Sequence, residues 1–223
     1  MQKPKGEKFS SLLKTHKGKE FVEALALTLH KLHSIDVKNF GLHVPSNAFK
    51  ETVSEIKVAA QVLLSFSMAP LVFQKIYTAL SKISRRPVKG NTLALLHGDC
   101  GPDNVIYSNG TVYLIDLESA QIGDPAYDLG YAYHAIKLGA PSDPWLAEHF
   151  IESYEKLHGE IADLETYKQL SALKLAVFLR FLRDANLLSL TLLGLKKTLN
   201  LLAVRKQFSF FLNYCLTYAE KAE

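Results

Sequence analysis

The sequence predicts an α+β chain that is predominantly helical, with a small β-hairpin at its centre. Two observations carry the helices: apolar residues recur at three- and four-residue intervals through the first third, and again from Trp145 onward. A third carries the hairpin, because Asn109-Gly110 stands between two short runs rich in Val, Ile and Tyr.

The elements follow in order. Val22, Leu25, Leu29 and Leu32 share one face of a helix expected from Glu20 to about His33-Ser34, with Lys19, Glu23 and Lys31 on the other side. A second helix is expected over 51–64 and a third over 70–83, where Pro70 suits the first turn because its absent N–H is not needed there. Arg86-Pro87 and Lys89-Gly90-Asn91 break the period, and 92–96 is a short apolar run bounded by turn residues, expected as a buried strand. In VIYSNGTVYLID the Asn-Gly pair supplies the two positive-φ positions of a type I′ turn, so residues whose numbers total 219 should face each other. Asp124-Pro125 reads as an N-cap followed by the first residue of a helix that Gly139 closes. After Trp145 the chain is expected to be helical to its end. With no repeat and no flexible linker, residues 1–223 read as a single domain.

Composition narrows the function classes. At 48% hydrophobic and 22% charged, the 223 residues are neither disordered nor collagen-like. The uncharged run 185–195 in the apolar C-terminal region is about half of a bilayer span. The lysines at the N-terminus are not followed by an apolar stretch, so no secretory signal is read, no membrane is expected as a partner, and the location expected is cytoplasmic. Cys100 and Cys215 form neither a metal-ligand spacing nor a disulfide framework. The net charge of +4 is spread over clusters: six lysines among the first twenty residues, Arg85-Arg86 with Lys89, Lys196-Lys197, and Arg205-Lys206. None is an arginine-rich run interleaved with aromatics, so these read as solvated faces and nucleic acid is not expected as a partner.

The hairpin register brings acids and an amide together. Asn104 falls opposite Ile115 and diagonal to Asp116 at the open end, and Asp99 lies in the loop leaving the 92–96 strand. An amide oxygen and a carboxylate are hard-oxygen donors suited to Mg²⁺ held with substrate phosphates, and a further carboxylate can orient a hydroxyl and accept its proton. Strict alternation would put Asp103, not Asn104, on the face of Asp116, so this convergence requires the ladder to bend or stop at that end.

His97-Gly98-Asp99, Asn104 five positions after the Asp, Ile115-Asp116-Leu117-Glu118, Gly123-Asp124-Pro125 and Asp128-Leu129 together resemble the aminoglycoside phosphotransferase and choline kinase-like family of the protein-kinase-like fold. The match is sharp over 93–131, and Lys31-Leu32-His33-Ser34-Ile35-Asp36 is similar to the family's early C-terminal-lobe helix. The resemblance implies a C-terminal lobe with Asp99 as catalytic base or hydroxyl-orienting carboxylate. It further implies Asn104 and Asp116 as ligands of Mg²⁺ bridging the nucleotide phosphates, and His97 and Asp128 as braces of the catalytic loop. Glu118 stands where many relatives also carry an acid and is expected to back the site or touch substrate. The implied activity is transfer of the γ-phosphoryl group of ATP to a hydroxyl of a small molecule, where positioning and charge neutralisation are the protein's main work. The plainer readings are an N-cap for Asp124, a favourable first-turn charge for Asp128 and a structural role for His97. Gly101 stands where protein kinases usually carry a lysine, a departure that favours small-molecule acceptors.

The family's N-terminal nucleotide lobe has no counterpart: no glycine-rich phosphate loop and no strand-borne lysine are found. Residues 1–8, with Met1, Gly6 and Glu7, look like the family's interlobe hinge. Three accounts fit: a lobe of a longer kinase, a lobe paired with a separately encoded N-terminal lobe or with a second copy of itself, or a remnant that serves as a non-catalytic, pseudokinase-like binding or regulatory module. In isolation the chain is expected to turn over weakly or not at all. Acceptors in this family bind among the helices that correspond to 140–223. From 151 onward ten Lys and Arg face eight Asp and Glu, a balance that favours a neutral or anionic hydroxyl compound over a polycationic one. Arg180 and Arg183 share a helical face that reads either as an anion grip or as a solvated or ion-paired surface.

Overall fold

The computed structural model describes residues 7–64, 70–89, 92–193, 209–210 and 212–220. The elements are β1 (Glu7–Lys8), α1 (Phe9–Leu12), α2 (Gly18–His33), a 3₁₀ turn (Val37–Asn39), α3 (Ala48–Leu64), α4 (Pro70–Ile83), β2 (Ala94–Leu96), β3 (Val105–Ser108), β4 (Thr111–Leu114), a 3₁₀ turn (Leu117–Ser119), β5 (Gln121–Gly123), α5 (Ala126–Gly139), α6 (Trp145–His158) and α7 (Leu164–Leu193). Residues 212–220 are helical as well. The helices expected over 20–34 and 70–83 form with small shifts of their ends, and α3 begins three residues before its expected start. Residues 1–6 of the hinge-like start, Gly90 and Asn91 of the break, and the Lys196-Lys197 and Arg205-Lys206 clusters lie outside the described residues.

The chain divides into two compact units. The first comprises the described residues of 1–49 and 88–168 and holds both sheets. In its three-stranded sheet the order is β1-β3-β4, all antiparallel, and β2 pairs with β5 separately. The hairpin register is the one the Asn-Gly turn dictates, from Ser108 opposite Thr111 to Val105 opposite Leu114, with Asn109 at φ 50° and Gly110 at φ 78°. The pairing of β2 with β5, with Leu96 opposite Gln121, was not legible in the sequence.

Helix α2 packs along α6, burying Phe21, Leu25 and Leu29 completely. Helix α5 is buried on nearly all sides: Ala126 through Gly130 and Ala132 through Ile136 are all buried, which marks a central core helix rather than a surface one. Its start is shifted by one residue from the expected cap, since Pro125 already has helical dihedrals and the Asp124 carboxylate accepts from the Ala126 N–H at 2.9 Å. The helical region after Trp145 is broken once among the described residues, at 159–163, where Gly159 (φ 92°) closes α6 and Asp163 (φ 57°) precedes α7.

The second unit comprises the described residues of 50–87 and 169–223. Its buried residues include Ile56 and Ala60 of α3, Phe73, Ile76, Leu80 and Ile83 of α4, Leu173 and Val177 of α7, and Leu212, Cys215 and Leu216 near the C-terminus. Arg180 is buried here, 7% exposed, so it is not itself a solvated side chain, and the side chain of Arg183 lies outside the described residues. Among the described residues no helix is long and apolar enough to cross a membrane.

Candidate active site

Strand β2 ends at Leu96, and the loop that follows carries His97, Gly98 and Asp99. Asp128, in the first turn of α5, is fully buried and holds this loop by its backbone: its Oδ2 accepts from the His97 N–H at 2.7 Å and its Oδ1 from the Gly98 N–H at 2.9 Å. Its Oδ2 also lies 3.2 Å from His33 Nε2 at the end of α2, and His33 Nδ1 is 2.8 Å from the Tyr154 hydroxyl on α6. Burial pushes the Asp128 carboxyl up, but the hydrogen bond and charge of His33 and the two backbone N–H bonds outweigh it and hold the group below its ordinary value. The carboxylate is therefore ionised, and His33 Nε2 carries the proton between them. A favourable first-turn charge does not describe a group so enclosed.

His97 is completely buried and ties the loop to the hairpin. Its Nε2 donates to the Ile115 carbonyl at 3.0 Å, and its Nδ1 accepts from the Asp99 N–H at 3.3 Å, which assigns the Nε2–H tautomer. Gly98 has φ 78°, and a Cβ there would stand 2.2 Å from the Ser119 carbonyl oxygen, so the loop lies directly on the 3₁₀ turn after Asp116.

Asn104 is bound to Asp99 twice, its Nδ2 donating to the Asp99 carbonyl at 3.0 Å and to Oδ2 of the carboxylate at 2.9 Å. With the amide nitrogen committed, the Asn104 side-chain oxygen is turned away from Asp99. The Asn104 carbonyl accepts from the Ile115 N–H at 2.9 Å, the last bond of the hairpin. There the ladder stops, and Asp116 adopts a left-handed conformation with φ 64°. That turn of the backbone breaks the strict alternation under which Asp103 would have shared the face of Asp116. Asp is one of the few residues that tolerates such a conformation. The Asp116 carboxylate does not cap the following 3₁₀ turn.

The expected residues thus fall into three groups. Asp99 and Asn104 touch; His97 and Asp128 hold the loop that carries Asp99; Asp116 follows Ile115, whose backbone both Asn104 and His97 bind. Glu118 sits exposed in the 3₁₀ turn, and among the described residues no hydrogen bond joins it to the others. Two contacts escaped the sequence reading. His33 bonds Asp128 across 95 positions, and Tyr131 bonds the Asp99 carboxylate. The signal for Tyr131 was present, since it follows Asp128 by three positions on the same helix and therefore shares its face.

A mostly helical unit in which two small antiparallel sheets present such a loop is the architecture of the protein-kinase-like phosphotransferases. A sequence model of the phosphotransferase enzyme family matches residues 5–170, and the chain belongs to that family. Comparison with the curated proteins gives no significant match. Among solved structures, a Ralstonia eutropha JMP134 protein provisionally classed as an aminoglycoside phosphotransferase aligns with a TM-score of 0.69 at 17% identity, over 100% of this chain and 73% of its own. Choline kinase from Cryptosporidium parvum Iowa II aligns with a TM-score of 0.63 at 12% identity, over 98% of this chain and 68% of its own. Choline kinase LicA from Streptococcus pneumoniae aligns with a TM-score of 0.54 at 17% identity, over 92% of this chain and 64% of its own, and LicA has also been solved in complex with AMP. The chain therefore spans about two thirds to three quarters of the length of these relatives. At such identities the likeness shows a shared fold.

Proposed function

We propose that the chain is the C-terminal catalytic lobe of a kinase that moves the γ-phosphoryl group of ATP to a hydroxyl of a small molecule with the help of Mg²⁺. The observation that carries this reading is the contact between Asp99 and Asn104, 2.9 Å apart, on a loop clamped through its backbone by buried Asp128. In this reading Asp99 orients the acceptor hydroxyl and accepts its proton as the oxygen attacks phosphorus. His97 and Asp128 keep the loop in place, and Glu118 is left as an exposed contact for substrate.

The donor set fits Mg²⁺. Asn104 presents its side-chain oxygen and Asp116 a carboxylate, both hard oxygen ligands. Among the described residues no three His, Cys, Asp or Glu side chains gather as a metal site, so these two would hold the ion only together with phosphate oxygens. Bound there, the ion would neutralise charge on the nucleotide phosphates. The AMP held by LicA supports a nucleotide for this fold. The mildly basic balance from 151 onward supports a neutral or anionic acceptor.

The test is a panel of hydroxyl compounds offered with MgATP to the protein as its native host produces it. Asp99→Ala is expected to abolish transfer, and Asp116→Ala to weaken binding of the Mg-nucleotide. Equal activity of Asp99→Ala and wild type sinks the assignment. Absence of Mg-dependent nucleotide binding even after a candidate N-terminal lobe is supplied would instead support a non-catalytic binding module.

A further inference from the structure

Asn104 grips only one edge of the Asp99 carboxylate, Oδ2. The other edge faces Gly101. A Cβ placed on Gly101 would stand 3.1 Å from Tyr131 Cε1, 3.4 Å from the Tyr131 hydroxyl and 3.7 Å from Asp99 Oδ1. The phenol and Oδ1 therefore share the space that a side chain at position 101 would fill. The Tyr131 hydroxyl is hydrogen-bonded to Asp99, and burial, the charge of Asp99 and that bond all push the phenol's ionisation up. Tyr131 consequently stays protonated and donates. Its backbone belongs to α5, the buried helix that also carries Asp128, so the donor is mounted on the same rigid element as the clamp of the loop.

We infer that Tyr131 is a positioning residue for Asp99: its hydroxyl holds the carboxylate at the edge beside Gly101 while Asn104 holds Oδ2, fixing the plane in which the carboxylate meets an acceptor hydroxyl. The inference rests on the proposed role of Asp99. Fixing both edges removes the rotation about the last side-chain bond that would otherwise have to be frozen at each turnover. Gly101 is the opening through which the ring reaches the carboxylate.

Two readouts test it. In the chain labelled with ¹³C at tyrosine Cζ, the Tyr131 resonance is identified by its loss in Tyr131→Phe. It is expected to move in Asp99→Asn, while that of exposed Tyr113 stays. With MgATP and water as the acceptor, Tyr131→Phe is expected to lower kcat about tenfold without changing KM for MgATP, since only the orientation of Asp99 is lost. Gly101→Ala, whose added carbon crowds the ring, is expected to reproduce that loss. A Tyr131 resonance indifferent to Asp99→Asn overturns the inference whatever the turnover. Wild-type kcat in Tyr131→Phe beside an inactive Asp99→Asn overturns it while leaving the role of Asp99 intact. Full turnover by Asp99→Asn removes the role of Asp99 and the inference with it.

Discussion

Replacing Asp128 with Ala should unfold the first unit before it inactivates anything. The carboxylate is inaccessible and accepts three hydrogen bonds, from the N–H groups of His97 and Gly98 and from His33. Without it two buried amides lose their acceptor, at about 1–3 kcal/mol each, and His33 loses its charged partner. Removing one member of a buried charged pair costs about 3–5 kcal/mol, and the two figures describe the same loss rather than adding. With a urea dependence of about 2–3 kcal/mol per molar, the midpoint should fall by about 1.5 M. The assay is urea unfolding followed by circular dichroism, with exposed Glu152→Ala as the control. Because the folded-state carboxyl is held below its ordinary value of 3.8, its contribution is complete above that pH and is lost as pH falls through the lower folded value. The gap between wild type and Asp128→Ala should therefore be full at neutral pH and close in acid below about pH 4. A shift no larger than that of Glu152→Ala at pH 7 would refute the clamp.

Asp124 has the opposite sign. Burial pushes its carboxyl up from 3.8 to about 6, so the folded state binds its proton more tightly and wild-type stability declines as pH rises from about 4 to 6. Asp124→Asn keeps an oxygen for the Ala126 N–H and should be more stable than wild type at pH 7 by about 1–3 kcal/mol, with the difference vanishing below about pH 4 in thermal melts. Gly98→Ala and Gly110→Ala separate close approach from backbone conformation, since both have φ 78° but only the first would drive a Cβ into a backbone carbonyl. The second should cost about 1 kcal/mol and the first several times more, read from urea midpoints. EDTA should weaken ATP binding at least about tenfold by calorimetry if Asn104 and Asp116 act through Mg²⁺; an unchanged affinity would count against them.

The hairpin was legible residue by residue because a type I′ turn at Asn109-Gly110 leaves one register open. The contact of Asp99 with Asn104, and the end of the ladder just before Asp116, were legible only conditionally. Strand periodicity alone argued for Asp103, and the left-handed backbone at Asp116 that interrupts this periodicity leaves no pattern in the sequence beyond a residue type that tolerates it. The motif with His97 and Asp128 was readable as a resemblance. That Asp128 binds backbone amides rather than a helix dipole required knowing that α5 is buried all round, which its run of Ala, Tyr, Leu and Gly signals only weakly. The contact of His33 with Asp128 joins the end of one helix to the start of another across 95 residues, and no local rule reaches that far. The division into two units was not legible either, since α3 and α7 cross its boundaries without a break in their helical period.

The twelve positions from Asn104 to Asp116 act as a ruler whose length the hairpin sets. Adding one matched pair to each strand, four residues in all, would move the Asn-Gly turn outward and leave both ends of the ladder where they are. Adding a single residue to one strand would rotate everything beyond it to the opposite face or force a bulge, changing where Asp116 stands relative to Asn104. Proteins built on this plan can therefore vary in hairpin length by balanced steps, and a search for the site by fixed spacing will overlook the longer ones.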